Sequence, residues 1–363
     1  MIPARSKDIS ADWLNEVLHS SGFLMGANIT ALQHEPSGVG ECFVSDMARL
    51  TVAYDQDAPH LPKIMIAKLP TSYEPGRAFA MQYNLYEREV RFYTEVAPKS
   101  PMRTPGLIYG EADSENQRYV LLLEDCSHYA KADQVKGLDH EQTKLIALKL
   151  ADFHARWWDA EDLFSFAWLP KPRGPEAISL TATFRACWDA CAQVEGFRKM
   201  LPEGGWEAGL RLYEQYPWLI ESVPNEHLTF CHGDFRADNF FFDWNTADDP
   251  LVVFDWQLVQ VSRGVFDLAY LLGSSLEIDL RRDVGKEIVR LYYDRLVEKG
   301  ISGYSFDECW TDYLKGLFIP AGVCVLASAS LDLSDPRGTE LIRVAIQRCF
   351  TSIVDNDATS VLP

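Results

Sequence analysis

Residues Cys231 to Gln257 read "CHGDFRADNFFFDWNTADDPLVVFDWQ", setting one His, six Asp and two Asn among residues that are otherwise largely apolar. Two runs within it, Asn239 to Asp243 and Leu251 to Asp255, read as strands joined by "WNTADDP", because Asn, Asp and Pro favour the turn between them. Antiparallel pairing would bring the start of the first strand beside the end of the second. Asn239 and Asp255 are therefore expected to be neighbours, with Asp234 on the loop just before them. Two carboxylates and a carboxamide at one mouth are hard oxygen donors suited to Mg²⁺, and the acids would repel one another without a cation. Asp243, Asp248 and Asp249 are read instead as turn residues that bond locally.

Around this stretch the 363-residue chain is long enough for two lobes. Its character changes near residue 125. Before that point strand signals dominate, in Ile29 to Ser37, Phe43 to Tyr54, Lys63 to Leu69 and Tyr119 to Leu123, with one helix expected between Arg77 and Val96. After it helical periods dominate: Ile146, Leu150, Phe153 and Trp157 recur at helical spacing, and Asp139 with Gln142 forms a capping-box pattern. The fold class is α+β, a small β-rich lobe followed by a larger helical one, with the join near Glu124 to Ser127.

In "KIMIAKLP", Ile64, Ile66 and Lys68 share one face of a strand by two-residue alternation. In the helix that follows, Met81, Leu85, Phe92 and Val96 form an apolar stripe, and Glu89 falls in its middle. A buried carboxylate needs a partner, so Lys68 and Glu89 are expected to pair, while Glu87 lies on another face. The loop "SGVGECFVS" carries Gly38 and Gly40 where backbone amides could pass over phosphates. It has Phe43 in place of the third Gly of GxGxxG and no helix directly after it, which excludes a dinucleotide-binding turn.

Composition narrows the function classes. With 34 basic against 53 acidic residues the net charge is -19, which argues against a nucleic-acid partner or an anionic membrane surface. The N-terminal stretch reads as an amphipathic helix rather than a secretory signal, and the run Leu317 to Leu326 is shorter than the ~20 residues of a membrane span. Eight cysteines without CxxC pairs read as reduced thiols, and a cytoplasmic location is expected.

With these residues in view, "HGDFRADN" at His232 to Asn239 resembles the HxDxxxxN catalytic loop of aminoglycoside phosphotransferases, choline kinases and ecdysteroid-kinase-like proteins. "VFDWQ" resembles the metal-binding Asp segment that follows it, and the match runs from about Gly38 to Leu272. The resemblance implies a protein-kinase-like two-lobe fold, with a nucleotide-binding lobe over 1–123, a hinge over 124–127 and a catalytic, substrate-binding lobe over 128–363. It implies that the Glu124 carbonyl and Cys126 amide meet adenine, that His232 orients the loop, and that Asp267 in "SRGVFDLAYLL" starts a helix while holding loop amides. Phe153 and His154 match the family's helix beneath the site.

The expected function is transfer of the ATP γ-phosphoryl group to a hydroxyl of a small molecule. Asp234 would receive or orient the hydroxyl proton, Asn239 and Asp255 would hold Mg²⁺, Lys68 the non-transferring phosphates, and Glu89 the Lys. Arg236 and Asp238 resemble the subset that phosphorylates hydroxyacyl-CoA, whereas the N-terminal half is closer to the ecdysteroid-kinase-like group. The alternatives are a nucleotide-binding regulator without catalysis or, within the enzyme reading, a hydroxyacyl-CoA or aminoglycoside kinase. A protein kinase is disfavoured because no APE-like segment follows Asp267. The acceptor pocket is expected to draw on Phe166 to Trp206 and the C-terminal helices.

Overall fold

A computed structural model describes residues 1–37, 44–170, 175–222, 226–246, 248–330 and 336–363. Gly38 and Gly40 lie outside the described residues. The chain forms two compact units: Met1–Ala130 with Asp243–Leu258, and Lys131–Phe242 with Val259–Pro363.

The first unit is built on a five-stranded antiparallel sheet in the order β1-β2-β3-β5-β4. Its strands are β1 (Ile29–Ser37), β2 (Ser45–Tyr54), β3 (Ile64–Pro70), β4 (Leu107–Asp113) and β5 (Arg118–Glu124). Helix α1 (Ala11–Ser20) is capped by Ser10, whose side chain accepts from the Trp13 amide at 3.0 Å. It covers one sheet face with Trp13, Leu14 and Leu18 against Met65, Ala67, Leu69, Leu50 and Leu122. Alternation along β3 thus gives the fully buried side to Met65, Ala67 and Leu69, and turns Ile66 and Lys68 to the other, half-buried face. Strand β4 was not expected from the sequence. Gly110 interrupts its apolar pattern, and a Cβ there would meet the Leu121 side chain at 3.2 Å.

The helix expected from Arg77 to Val96 is broken. The chain forms α2 (Glu74–Gln82), then α3 (Leu85–Arg91), then a π-helical turn over Phe92–Val96. Asn84, at φ 53 and ψ 34, makes the break, because a left-handed residue ends one α-helix and redirects the next, and Asn tolerates that conformation. Met81 is left half-buried on α2, whereas Leu85, Glu89, Phe92 and Val96 are buried in the re-aimed segment.

In the second unit, Asp139 caps α4 (His140–Trp157) in a reciprocal box: its carboxylate accepts from the Gln142 amide at 2.8 Å, and Gln142 accepts from the Asp139 amide at 3.0 Å. Ile146, Leu150, Phe153 and Trp157 are fully buried along it. Helices α5 (Pro175–Ala192), α6 (Glu195–Met200) and α7 (Gly205–Glu221) follow, after a short strand β6 (Ala130–Lys131) before α4. Strand β7 (Thr229–Cys231) leads into the Asp-rich loop and pairs antiparallel with β10 (Gln260–Ser262), which leads into α8 (Val265–Ser275). Beyond it lie α9 (Ile278–Glu298), α10 (Phe306–Gly316), α11 (Phe318–Ser330) and α12 (Pro336–Asp355).

The two strands of the opening stretch are shorter than expected: β8 is Phe240–Phe242, and β9 is Leu251–Val253. The stretch Phe306–Ala329 holds 24 residues and is long and apolar enough to cross a membrane, with 61% of its most apolar window buried inside the fold. It is longer than the apolar run the sequence alone isolates, because α10 and α11 follow almost without interruption. All seven described cysteines are free, and all but Cys187 are buried.

Asn84→Val should lower unfolding free energy by about 1–2 kcal/mol in urea titrations, since a β-branched residue is strained in the left-handed region. Asn84→Gly should stay close to wild type; equal behaviour of the two would show that the break has another cause.

Candidate active site

Three of the sequence-derived residues meet in the first unit. The Lys68 ammonium lies 2.8 Å from Glu89 Oε1, 2.7 Å from Glu89 Oε2 and 2.6 Å from Asp255 Oδ1. The Lys68 and Glu89 side chains are only 10% and 4% exposed, so two carboxylates share one cation with little water to screen them. Burial, aided by Asp255 and opposed by Lys68, pushes the Glu89 carboxyl up to about 7. Asp255 sits two residues beyond β9 at φ 66, a left-handed backbone uncommon for a residue with a side chain.

The segment after Asp255 is fixed by α3. The Trp256 backbone N–H bonds the Glu89 carboxylate, and the Trp256 ring stacks on Phe92 at 3.9 Å between centroids and 9° between planes. Both rings are fully buried, and Trp256 Nε1 donates to the Val253 carbonyl at 3.0 Å. Sequence reasoning placed Phe92 and Glu89 on one helix face but did not connect them to Trp256. The signal available was their three-residue spacing, which stacks two side chains on the same side.

Glu124 and Cys126 also belong to the first unit. Glu124 closes β5, where its amide donates to the Gly106 carbonyl at 2.9 Å and its carboxylate accepts from the Gly106 amide at 3.0 Å. The Cys126 side chain is buried, which pushes its thiol up to about 12. Its carbonyl accepts from the Tyr129 amide at 3.0 Å. The Glu124 side chain is engaged by the Gly106 amide and the Cys126 side chain is buried, so any ligand contact there would use backbone groups.

The second unit carries Asp234 and Asn239. Asn239 lies in a 3₁₀ turn, Ala237–Asn239, and its Nδ2 donates to the Asp234 carbonyl at 2.8 Å and to Asp234 Oδ2 at 3.1 Å. Arg236 Nε donates to the same Oδ2 at 3.1 Å, and Arg236 Nη1 reaches Asp238 Oδ2 at 2.9 Å. Tyr270 on α8 hydrogen-bonds the Asp234 carboxylate as well. Burial is the largest influence on that carboxyl and acts upward, but Arg236, Tyr270 and His232 together outweigh it, so it sits below the usual range. Asp234 is therefore ionised and held at fixed orientation. Arg236 and Tyr270 were not singled out as partners of Asp234 from the sequence.

The loop itself rests on Asp267. Its carboxylate accepts the His232 amide at 2.6 Å and the Gly233 amide at 3.0 Å, while His232 Nδ1 accepts the Asp234 amide at 3.2 Å. Asp267 and Tyr270 are three apart on α8, so one helix face supports both the start of the loop and its carboxylate. Beneath them, buried His154 has Nε2 3.5 Å from Asp267 and Nδ1 2.8 Å from the Tyr292 hydroxyl. Burial lowers the His154 pKa, keeping the ring neutral despite Asp267. His154, Cys231 and Asp267 offer donor atoms within 4.8 Å of one another. The Asp267 carboxylate already serves two loop amides, so this trio reads as the foundation of the loop. On the other flank, the Gln134 side chain accepts the Ala237 amide at 2.9 Å, its backbone amide donates to Asp238 at 2.9 Å, and Arg348 holds its carbonyl at 2.6 Å.

The sequence model of the phosphotransferase enzyme family matches residues 73–301, which hold α3, the loop and Asp255. No curated protein matches the sequence. Among solved structures, ethanolamine kinase from Plasmodium vivax aligns at a TM-score of 0.55 and 11% identity, covering 97% of this chain and 89% of its own. Choline kinase from Cryptosporidium parvum aligns at 0.55 and 9%, covering 92% of each chain. An aminoglycoside 2'-phosphotransferase-IIIa variant in complex with GDP aligns at 0.54 and 14%, covering 96% and 99%. These likenesses show the fold: a protein-kinase-like arrangement of an antiparallel N-terminal sheet and a helical C-terminal part.

Because the folded protein holds the Glu89 proton more tightly than the unfolded chain does, the stability this contributes is full below about 4.5 and is lost as pH rises through about 7. Urea unfolding in metal-free buffer should show that decline, and Glu89→Gln should flatten it. An unchanged slope in the variant would assign the effect to another group.

Proposed function

This chain belongs to the phosphotransferase enzyme family, and we propose that it moves the γ-phosphoryl group of ATP to a hydroxyl of a small molecule, with Mg²⁺ as the accompanying cation. The observation that carries the reading is the Lys68 ammonium gripped by Glu89 and Asp255. Such a lysine can exchange the Asp255 carboxylate for phosphate oxygens while Glu89 keeps it in place.

The donor set fits a small hard cation. Glu89 and Asp255 bring two carboxylates to a single ammonium, which leaves excess negative charge at Asp255. Asn239 uses Nδ2 within its own loop, so its carbonyl oxygen is the atom left to serve as a ligand. Asp255 and Asn239 are the residues that would hold Mg²⁺, and when bound the ion would neutralise phosphate charge during transfer.

Asp234 has the chemistry of the hydroxyl-orienting group. It is ionised, and Arg236 and Asn239 both engage Oδ2, which fixes the direction in which the carboxylate meets an acceptor. As the acceptor oxygen bonds to phosphorus and the bond to the leaving diphosphate breaks, the hydroxyl proton passes to Asp234. Lys68 holds the non-transferring phosphates, and positioning with charge neutralisation does most of the work. The Glu124 carbonyl and Cys126 amide would meet the nucleobase, which asks nothing of their side chains.

For the acceptor, the known proteins with this fold suggest amino alcohols and aminoglycosides, and the Arg236 and Asp238 pattern suggests hydroxyacyl-CoA thioesters. A thermal-shift screen of these three classes with Mg²⁺ and a nonhydrolysable nucleotide should show one class raising the melting temperature, because a ligand that binds only the folded state stabilises it.

With that acceptor, Asp234→Asn should lower kcat by about 10²–10⁴-fold, and Asp255→Ala should abolish phosphorylated product measured by mass spectrometry. Full turnover in Asp255→Ala would refute the metal assignment. Nucleotide binding without product over the whole panel would favour a non-catalytic regulator.

A further inference from the structure

We propose that Trp256 is a positioning residue for Asp255, locking it to helix α3 so that the carboxylate is set in place before nucleotide or cation arrives. The inference rests on the phosphotransferase reading and deepens it, by assigning a residue outside the set of expected ligands.

Glu89 and Phe92 are three residues apart, so their side chains leave the same face of the segment that runs from α3 into the π-helical turn. The Phe92 amide donates to the carbonyls of Arg88 and Glu89, which keeps the helix continuous into the wider turn. From this one face the helix makes two grips on the same residue. Glu89 takes the Trp256 backbone amide, and Phe92 takes its ring in a near-parallel stack at 3.9 Å and 9°. A third bond, from Trp256 Nε1 to the Val253 carbonyl at 3.0 Å, ties the ring back to the end of β9. Val253 and Trp256 are thereby closed into a tight turn with Asp255 inside it.

Asp255 adopts φ 66 in that turn. A side-chain-bearing residue persists in the left-handed region only when its surroundings over-determine it, and such residues cluster at functional sites. The surroundings here are the two hydrogen bonds of Trp256 and its ring stack. Their consequence is that Asp255 Oδ1 meets Lys68 at 2.6 Å while Lys68 also holds Glu89. Glu89 thus joins both ends of the device: it bonds the Lys through its carboxylate and fixes Asp255 through the neighbouring amide. Motion of α3 would shift the lysine and the metal-binding carboxylate together.

The test uses the full chain and three single substitutions. Trp256→Leu keeps apolar volume but removes the flat stack and the Nε1 bond, Trp256→Phe keeps a stack, and Phe92→Leu removes the other ring should Trp256→Leu not fold. Mn²⁺ affinity is read by electron paramagnetic resonance with a nonhydrolysable nucleotide, alongside kcat and nucleotide KM. Loss of a residue that orients a ligand commonly weakens metal binding or activity by about 10–100-fold. Trp256→Leu or Phe92→Leu should weaken Mn²⁺ binding and lower kcat on that scale, with nucleotide KM changed by less than about threefold, and Trp256→Phe should recover most of both. A folded Trp256→Leu or Phe92→Leu protein with wild-type Mn²⁺ affinity and kcat would overturn the proposal. Mn²⁺ binding that follows this pattern in a protein with no turnover on any acceptor would uphold the positioning role while removing the transfer reading on which kcat depends.

Discussion

One ammonium between two carboxylates organises the first unit. The Lys68 ammonium could not be shielded from water beside the sheet without compensation, since removing a charge from water is costly unless it is paired and hydrogen-bonded. Glu89 supplies that compensation from α3, the segment that starts after the left-handed Asn84. Two negative charges then face one positive charge, and burial resolves the imbalance by raising the Glu89 pKa. The resting arrangement is therefore satisfied by hydrogen bonds and by the proton that Glu89 retains, and under the proposed function an arriving cation would take over part of that compensation.

The second unit solves a different problem, that of holding a loop rich in polar groups with almost no regular structure. It does so by giving each part of the loop a fixed acceptor or donor, from helix α8, from the turn that holds Gln134 or from within the loop. Asp267 takes two amides, Tyr270 and Arg236 take the Asp234 carboxylate, and Gln134 takes the far side of the turn with Arg348 behind it. Buried networks of this kind are stable only when every member is satisfied, so the loop has little freedom. If Asp234 orients an acceptor hydroxyl as proposed, its rigid presentation would matter more than its basicity, since its pKa is held below the ordinary carboxylate range.

Periodicity reveals much of this and stops at identifiable places. Alternation along β3 and the helical spacing of Leu85, Glu89 and Phe92 are local properties, so the chain itself announces that Lys68 and Glu89 face inward. The capping box at Asp139 is equally local. The break at Asn84 is not announced, because the apolar stripe continues across it and left-handed backbone leaves no trace in hydropathy. Strand β4 is hidden for a similar reason, with Gly110 placed where a neighbouring side chain needs room.

The sequence by itself determined the β-rich start and helical remainder, the inward-facing Lys and Glu, and the HxDxxxxN loop with its later Asp, since each depends on residue type and spacing over short range. Tertiary structure alone decided that Trp256 answers to Phe92 and Glu89, that Arg236 and Tyr270 share Asp234, and that Asp255 takes a left-handed backbone. Those are contacts between segments far apart in the chain, and their energy exists only once packing has brought the segments together and excluded water from between them.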